Sequence, residues 1–164
     1  MDQRPEIVDT KERFCDWEMD TIVGENNKGA VVTIVERKTA FMMMEKMQSG
    51  KNAKQLTKAV TRMLWAYSKQ VHSITADNGI EFADHQNIAK TLKTQFFFTH
   101  PYSSWEKGLI ENTNKLIRQY IPKKANFNNF NDKQIKEKQY EINNRPREKL
   151  NFYSPKEVFF LNLQ

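Results

Sequence analysis

A chain of 164 residues with 38% hydrophobic residues and a mean hydropathy of −0.78 is long enough for one domain with a sizeable core and a well-wetted surface. No apolar run approaches the roughly 20 residues of a membrane span, and the first residues lack the hydrophobic stretch of a signal peptide. The single cysteine, Cys15, excludes an internal disulfide framework and a zinc knuckle, and fits a reducing cytoplasm. The net charge of +6 is unevenly placed. Residues 1–106 hold 14 basic and 14 acidic residues, whereas residues 107–164 hold 12 basic and 6 acidic ones. By itself that surplus fits a solvated surface as well as a polyanion partner.

Residues 1–13 are charged, contain Pro5 and read as a linker or arm; one domain is expected over 14–164. Trp17 to Val23 alternates as a strand does, and Gly24 to Gly29 is a turn. The β-branched run Ala30 to Val35 predicts a buried strand, and Thr39 to Met47 the third strand of a meander. Its Met42-Met43-Met44 run suits core packing better than metal binding. From Lys51 to Ser68 the period changes: Leu56, Val60, Met63 and Tyr67 form the apolar stripe of an amphipathic helix. Val71 to Ala76 is a strand halted at Asp77-Asn78-Gly79, Glu81 to Lys93 a helix, and Thr94 to Thr99 a fifth strand. A helix is expected from about Ser104, with Ser103 and Glu106 resembling a capping box, to Ile121 before Pro122. Residues 131–144 and 155–162 predict two more helices. This order implies an α/β fold, a five-stranded mixed sheet (a three-strand antiparallel meander plus two further strands) flanked by helices.

Three places carry chemistry. On the helix after Ser104, Lys107, Glu111, Lys115 and Arg118 share one polar stripe, with Leu109, Thr113, Leu116 and Tyr120 on the opposite side to dock on the sheet. Alone, that stripe reads as ordinary i,i+4 ion pairs, worth a few tenths of a kcal/mol each. Asp77 ends a buried strand, at the edge where open α/β sheets place ligands, although an Asx-turn carboxylate would look the same. Glu81 and Asp84 are rival acids, expected to be exposed on the following helix. Asp16, Glu18 and Asp20 alternate on one face of the first strand, and spacing does not choose among them. Three carboxylates with substrate phosphates suffice for two Mg²⁺, which prefers oxygen ligands and keeps several waters. His72, His85 and His100 show no ligand spacing and are expected to be structural or exposed.

The chain resembles the catalytic domain of DDE-type transposases, within the retroviral-integrase/ribonuclease-H-like superfamily, and more narrowly the bacterial insertion-sequence-thirty family. The matching segments run from Arg4-Pro5 through Asp16-Trp17-Glu18-Met19-Asp20-Thr21-Ile22-Val23-Gly24 and Thr33-Ile34-Val35-Glu36-Arg37-Lys38-Thr39. They continue through Thr75-Ala76-Asp77-Asn78-Gly79-Ile80-Glu81-Phe82-Ala83, Pro101 to Gly108, Glu111 to Tyr120, and Asn144-Arg145-Pro146-Arg147. The 33 residues between Asp77 and Glu111 match the family's spacing. Cys15 and Met19 stand where small residues are common, and read as packing changes.

The resemblance implies a ribonuclease-H-like fold and selects Asp20 over Glu18 and Asp16 as the first catalytic acid, with Asp77 and Glu111 as the second and third. All three would hold Mg²⁺, or Mn²⁺ in its place, with two ions expected once DNA is bound. Arg118 fits the basic position that contacts DNA near the cut; Lys115 and Lys107 are further DNA-binding candidates. The implied function is metal-dependent cleavage at transposon ends and strand transfer of the 3′-hydroxyl into target DNA, by a cytoplasmic bacterial homo-oligomer without membrane contact. Two alternatives stand beside it: a nuclease that only hydrolyses, and a non-catalytic DNA-binding or assembly module. The end-reading helix-turn-helix of such transposases has no counterpart before residue 14, so the resemblance implies a catalytic domain alone.

Overall fold

The structure, a computed structural model, describes residues 4–48 and 50–164; residues 1–3 of the expected arm lie outside them. Five strands, β1 (Asp16–Val23), β2 (Ala30–Glu36), β3 (Met42–Met47), β4 (Ser73–Ala76) and β5 (Gln95–Phe98), form one sheet of order β3-β2-β1-β4-β5. The first three strands are an antiparallel meander, and β4 and β5 add in parallel beside β1. Among the described residues six α-helices accompany them: α1 (Glu6–Asp9), α2 (Ala53–Leu64), α3 (His85–Leu92), α4 (Gly108–Tyr120), α5 (Asp132–Asn143) and α6 (Pro155–Leu163). The expected five-stranded mixed sheet is therefore present. Among the described residues no helix is long and apolar enough to cross a membrane.

Alternation along the strands builds two apolar layers. On one face Trp17, Met19, Val32, Ile34 and Ile74 meet Leu56 and Val60 of α2, Ile88 and Leu92 of α3, and Phe159 of α6. On the other, Ile22, Val31, Val35, Met42 and Met44 meet Ile110 and Ile117 of α4 and Ile135 and Ile142 of α5. The methionine run divides between the layers, Met43 on the first and its neighbours on the second, and so serves as core on both sides. Phe159 ties the first layer together, with its ring 4.2–5.9 Å from those of Phe14, Trp17, Phe41, Tyr67 and Phe160.

Strand β3 lies at the sheet edge, where unpaired backbone groups invite pairing with another chain. Helix α5 covers that edge with side chains. Asn143 accepts from the Met42 N–H (2.9 Å) and donates to its carbonyl (2.7 Å); Gln139 accepts from the Met44 N–H, and Lys136 donates to the Met44 carbonyl.

Three local expectations are corrected. Strand β3 starts at Met42, not Thr39, because the buried Glu36 carboxylate gathers the N–H groups of Lys38 and Thr39 and the Thr39 hydroxyl into a turn, with Ala40 at φ 59°. The helix expected from Glu81 starts at His85, after a 3₁₀ turn over Ile80–Phe82. Glu81 is buried, at 4% exposure, because it accepts from the Thr21 hydroxyl (2.7 Å) and pairs with Lys51 Nζ (2.7 Å). The Ser103–Glu106 capping box does not form: a 3₁₀ turn, Ser104–Lys107, precedes α4, and Glu106 instead accepts from the His100 backbone N–H and faces the His100 ring. Reciprocal capping boxes do open α5 (Asn131, Gln134) and α6 (Ser154, Glu157).

Phe159→Ala removes the centre of the aromatic cluster, and is expected to cost about 3–5 kcal/mol of stability; an unchanged urea midpoint would refute that packing role. At Glu81, burial pushes the carboxyl pKa up, but Lys51 and the Thr21 hydroxyl outweigh it and hold it below the ordinary range. A depressed folded pKa adds stability above the unfolded value near 4.5, which is lost as pH falls through the folded value. Glu81→Gln should therefore be less stable than wild type at neutral pH, with the gap narrowing in acid. Thermal unfolding from pH 7 to 3 measures this, and a gap constant with pH would exclude it.

Candidate active site

The parallel register of β1 and β4 sets Glu18 beside Thr75. Two residues further along each chain stand Asp20 and Asp77, on the face covered by α4. The structure separates the three acids that spacing left open. Asp16 is fully buried and held by Arg13 (2.7 and 2.9 Å) and the Ser73 hydroxyl. Glu18 is fully buried, pairs with Arg37 (2.9 Å) and accepts from the Ile110 N–H (2.8 Å), which pins the first turn of α4 to the sheet. Asp20 alone of the three reaches an open cleft of about 360 Å³, with its side chain 23% exposed.

Asp77 divides its oxygens between two tasks. Oδ1 accepts from the Gly79 N–H (2.9 Å), which is the Asx turn, and Oδ2 faces Lys107 Nζ at 3.3 Å. Asn78 ties this turn to β5 by donating to the Thr99 carbonyl (3.1 Å). A Cβ at position 79 would stand 2.5 Å from Glu81 Oε2 and 3.0 Å from Asp77 Oδ1, so these carboxylate ends would have to shift to admit one. Glu111, in the first turn of α4, lines the same cleft as Asp20 and Asp77.

Electrostatics in this corner follow from crowding. Burial pushes the Asp20 carboxyl above its ordinary pKa; Lys107 and the Thr21 N–H draw it down, and the neighbouring Asp77 pushes it up again. Lys107 is buried, 3.3 Å from Asp77 and 3.8 Å from Asp20, so it stands inside the carboxylate pair and not on the open stripe of α4. An all-oxygen donor set of this kind suits Mg²⁺ or Mn²⁺ in its chemistry. The donors are not gathered as a finished metal site, however: among the described residues no group of three His, Cys, Asp or Glu side chains is close enough to hold an ion.

Other residues fall differently from the helical pattern. The docking face of α4 runs through Ile110, Thr113 and Ile117, with Leu109 and Tyr120 at its margin. The Arg118 guanidinium donates to the Val23 carbonyl (2.8 Å) and lies over the Phe127 ring (5.4 Å), and burial lowers its pKa. Lys115 is exposed. His100 lines the cleft beside Glu106, while His85 packs near Phe96 and Phe98. Asn114 was not anticipated: it donates to Asp20 Oδ2 (3.0 Å) and accepts from the Thr33 hydroxyl (2.9 Å). Its place three residues after Glu111, one turn along the same helix, was the available signal.

The integrase core domain family matches residues 12–104. The transposase for insertion sequence element IS4351 of Bacteroides fragilis is 50% identical over 159 residues, covering 97% of this chain and 48% of that protein. The transposase InsI for insertion sequence element IS30A of Escherichia coli (strain K12) is 32% identical over 157 residues, covering 95% of this chain and 40% of its own length. The chain thus spans about half the length of the curated relatives it matches. In fold it is similar to the catalytic core domain of BIV integrase, with a TM-score of 0.68 at 17% identity over 90% of this chain and 95% of that one. The chain belongs to the integrase core domain family, as a DDE-type integrase/transposase catalytic domain of the ribonuclease-H-like superfamily that closely matches the IS30-family transposases.

Proposed function

We propose that this chain is the catalytic core of a DNA transposase that cuts at transposon ends and joins the freed 3′-hydroxyl to target DNA. The observation carrying this reading is that Asp20, Asp77 and Glu111, from β1, the end of β4 and α4, line one open cleft. Asp20, Asp77 and Glu111 would be the metal ligands, and bound Mg²⁺ or Mn²⁺ would supply an activated attacking oxygen and a stabilised leaving oxygen.

The chain's own residues prepare that chemistry. Asn114 and the Thr21 N–H orient the Asp20 carboxylate, and Gly79 fixes one oxygen of Asp77. Glu18, through the Ile110 N–H, sets where α4 presents Glu111. The cleft is open, so an extended polymer can reach the acids from solvent. Lys115, exposed one turn beyond Glu111, is the DNA-binding candidate that the helix offers to a phosphate. Lys107 and Arg118 would contact DNA only after leaving their present partners. Self-association on paired DNA ends and a place in the bacterial cytoplasm belong to the same reading.

One observation favours a second reading. The acids are not gathered into a finished site, which also suits a DNA-binding module that has lost catalysis. Incubating the chain with a pre-cut donor end, target DNA and Mn²⁺ separates the possibilities. Joined product is expected. Hydrolysis without joining would point to a nuclease, and DNA binding with neither reaction would point to the module. Glu111→Gln and Asp77→Asn should each lower joining by about a hundred-fold or more while far-ultraviolet circular dichroism stays unchanged. Asn114→Ala should weaken Mn²⁺ binding about 10–100-fold, measured by calorimetry; unaltered affinity would deny it the orienting role.

A further inference from the structure

We propose that Lys107 is a built-in counter-ion for the Asp20–Asp77 pair, which a divalent cation must displace, so that this lysine sets how tightly the site takes metal. The inference rests on the metal-binding reading of the acids and adds a competitor to it. Its ammonium stands 3.3 Å from Asp77 Oδ2 and 3.8 Å from Asp20 Oδ1. The side chain is only 7% exposed, in contrast to the exposed Lys115 of α4. A lysine kept for reading phosphates from solvent would not be sunk between two acids.

The register supplies the reason. Asp20, within β1, and Asp77, just past the end of the parallel β4, each stand two residues beyond the paired Glu18 and Thr75 on one face, so their like charges are neighbours. An opposite charge between them relieves that repulsion. Lys107 reaches the pair from a fixed position, the end of the 3₁₀ turn that leads into α4. The turn is itself held, because Arg37 donates to the Glu106 carbonyl (3.3 Å) while pairing with Glu18. A divalent ion on the same oxygens would repel the ammonium, and the two cannot share the pair without weakening each other. The lysine thus keeps the acids together before metal arrives, and lowers the affinity with which metal then binds.

Mn²⁺ titration followed by electron paramagnetic resonance tests this on the 164-residue chain without reference to activity. Lys107→Met should bind Mn²⁺ about ten-fold or more tightly than wild type. Lys107→Arg, which keeps the charge, should stay near the wild-type affinity. Lys124→Met, an exposed charge outside the cleft, should change affinity less than about two-fold and controls for net charge. In EDTA, Lys107→Met should unfold at a lower temperature than wild type and recover more on adding Mn²⁺. If Lys107→Met does not fold, Lys107→Gln carries the same expectation with a polar head. Equal or weaker Mn²⁺ binding by the neutral variants, with binding abolished in Asp77→Asn, would overturn the counter-ion role alone. Mn²⁺ binding that Asp77→Asn leaves intact would place the ion elsewhere and overturn the metal reading with it.

Discussion

Parallel pairing of β1 with β4 creates a difficulty that the surrounding residues are arranged to meet. It draws Asp20, within β1, and Asp77, just past the end of β4, to neighbouring positions on one sheet face, where the two carboxylates repel and Asp20 is partly withdrawn from water. Counter-charges and donors collect around them. Lys107 bridges the pair, Asn114 and the Thr21 N–H hold Asp20, and Gly79 holds Asp77. Close by, Glu81 is neutralised by Lys51 and tied to Thr21, the residue next to Asp20. Had β1 and β4 paired one residue out of step, one acid would face the other apolar layer and the cleft would lose one of its three acids.

A second buried pair decides where the third acid stands. Removing Glu18 and Arg37 from water is expensive, and an isolated buried charge would be far worse. The cost is offset by what the pair positions. Glu18 takes the Ile110 N–H at the start of α4, and Arg37 takes the Glu106 carbonyl just before it. Helix α4 therefore enters the sheet face at a set point, and Glu111 follows in its first turn. The helix is fixed by charge at its beginning and by Ile110 and Ile117 along its length.

Much of the positive charge in the final third is already committed to the fold. Arg118 caps the end of β1, Lys136 serves the β3 edge, Arg145 donates to Gln119, and Arg147 donates to the Ile142 carbonyl. The surplus counted along the sequence therefore overstates what is free for a polyanion. Exposed cations such as Lys115, Lys123 and Lys124 remain on that part of the surface.

Period and turn chemistry made the sheet, the five strands and the principal helices legible, because burial imposes alternation on strands and a 3.6-residue stripe on helices. The acids were legible as residues, with Asp77 at a strand end and Glu111 on a helix, and family resemblance chose Asp20. The partners of these acids were not legible. Glu81 looked like an exposed helical acid, Lys107 like part of an open cationic stripe, and Asn114 carried no signal beyond its spacing. Which segments become strands and helices, and which faces are apolar, can be read along the chain, since both follow from sequence neighbours. Which carboxylates are neutralised and which stay open is settled by the folded arrangement, since Lys51, Arg37, Lys107 and Asn114 meet them across separations of 19 to 94 residues. Charge pairing depends on distance in space, and a one-dimensional pattern does not carry that distance.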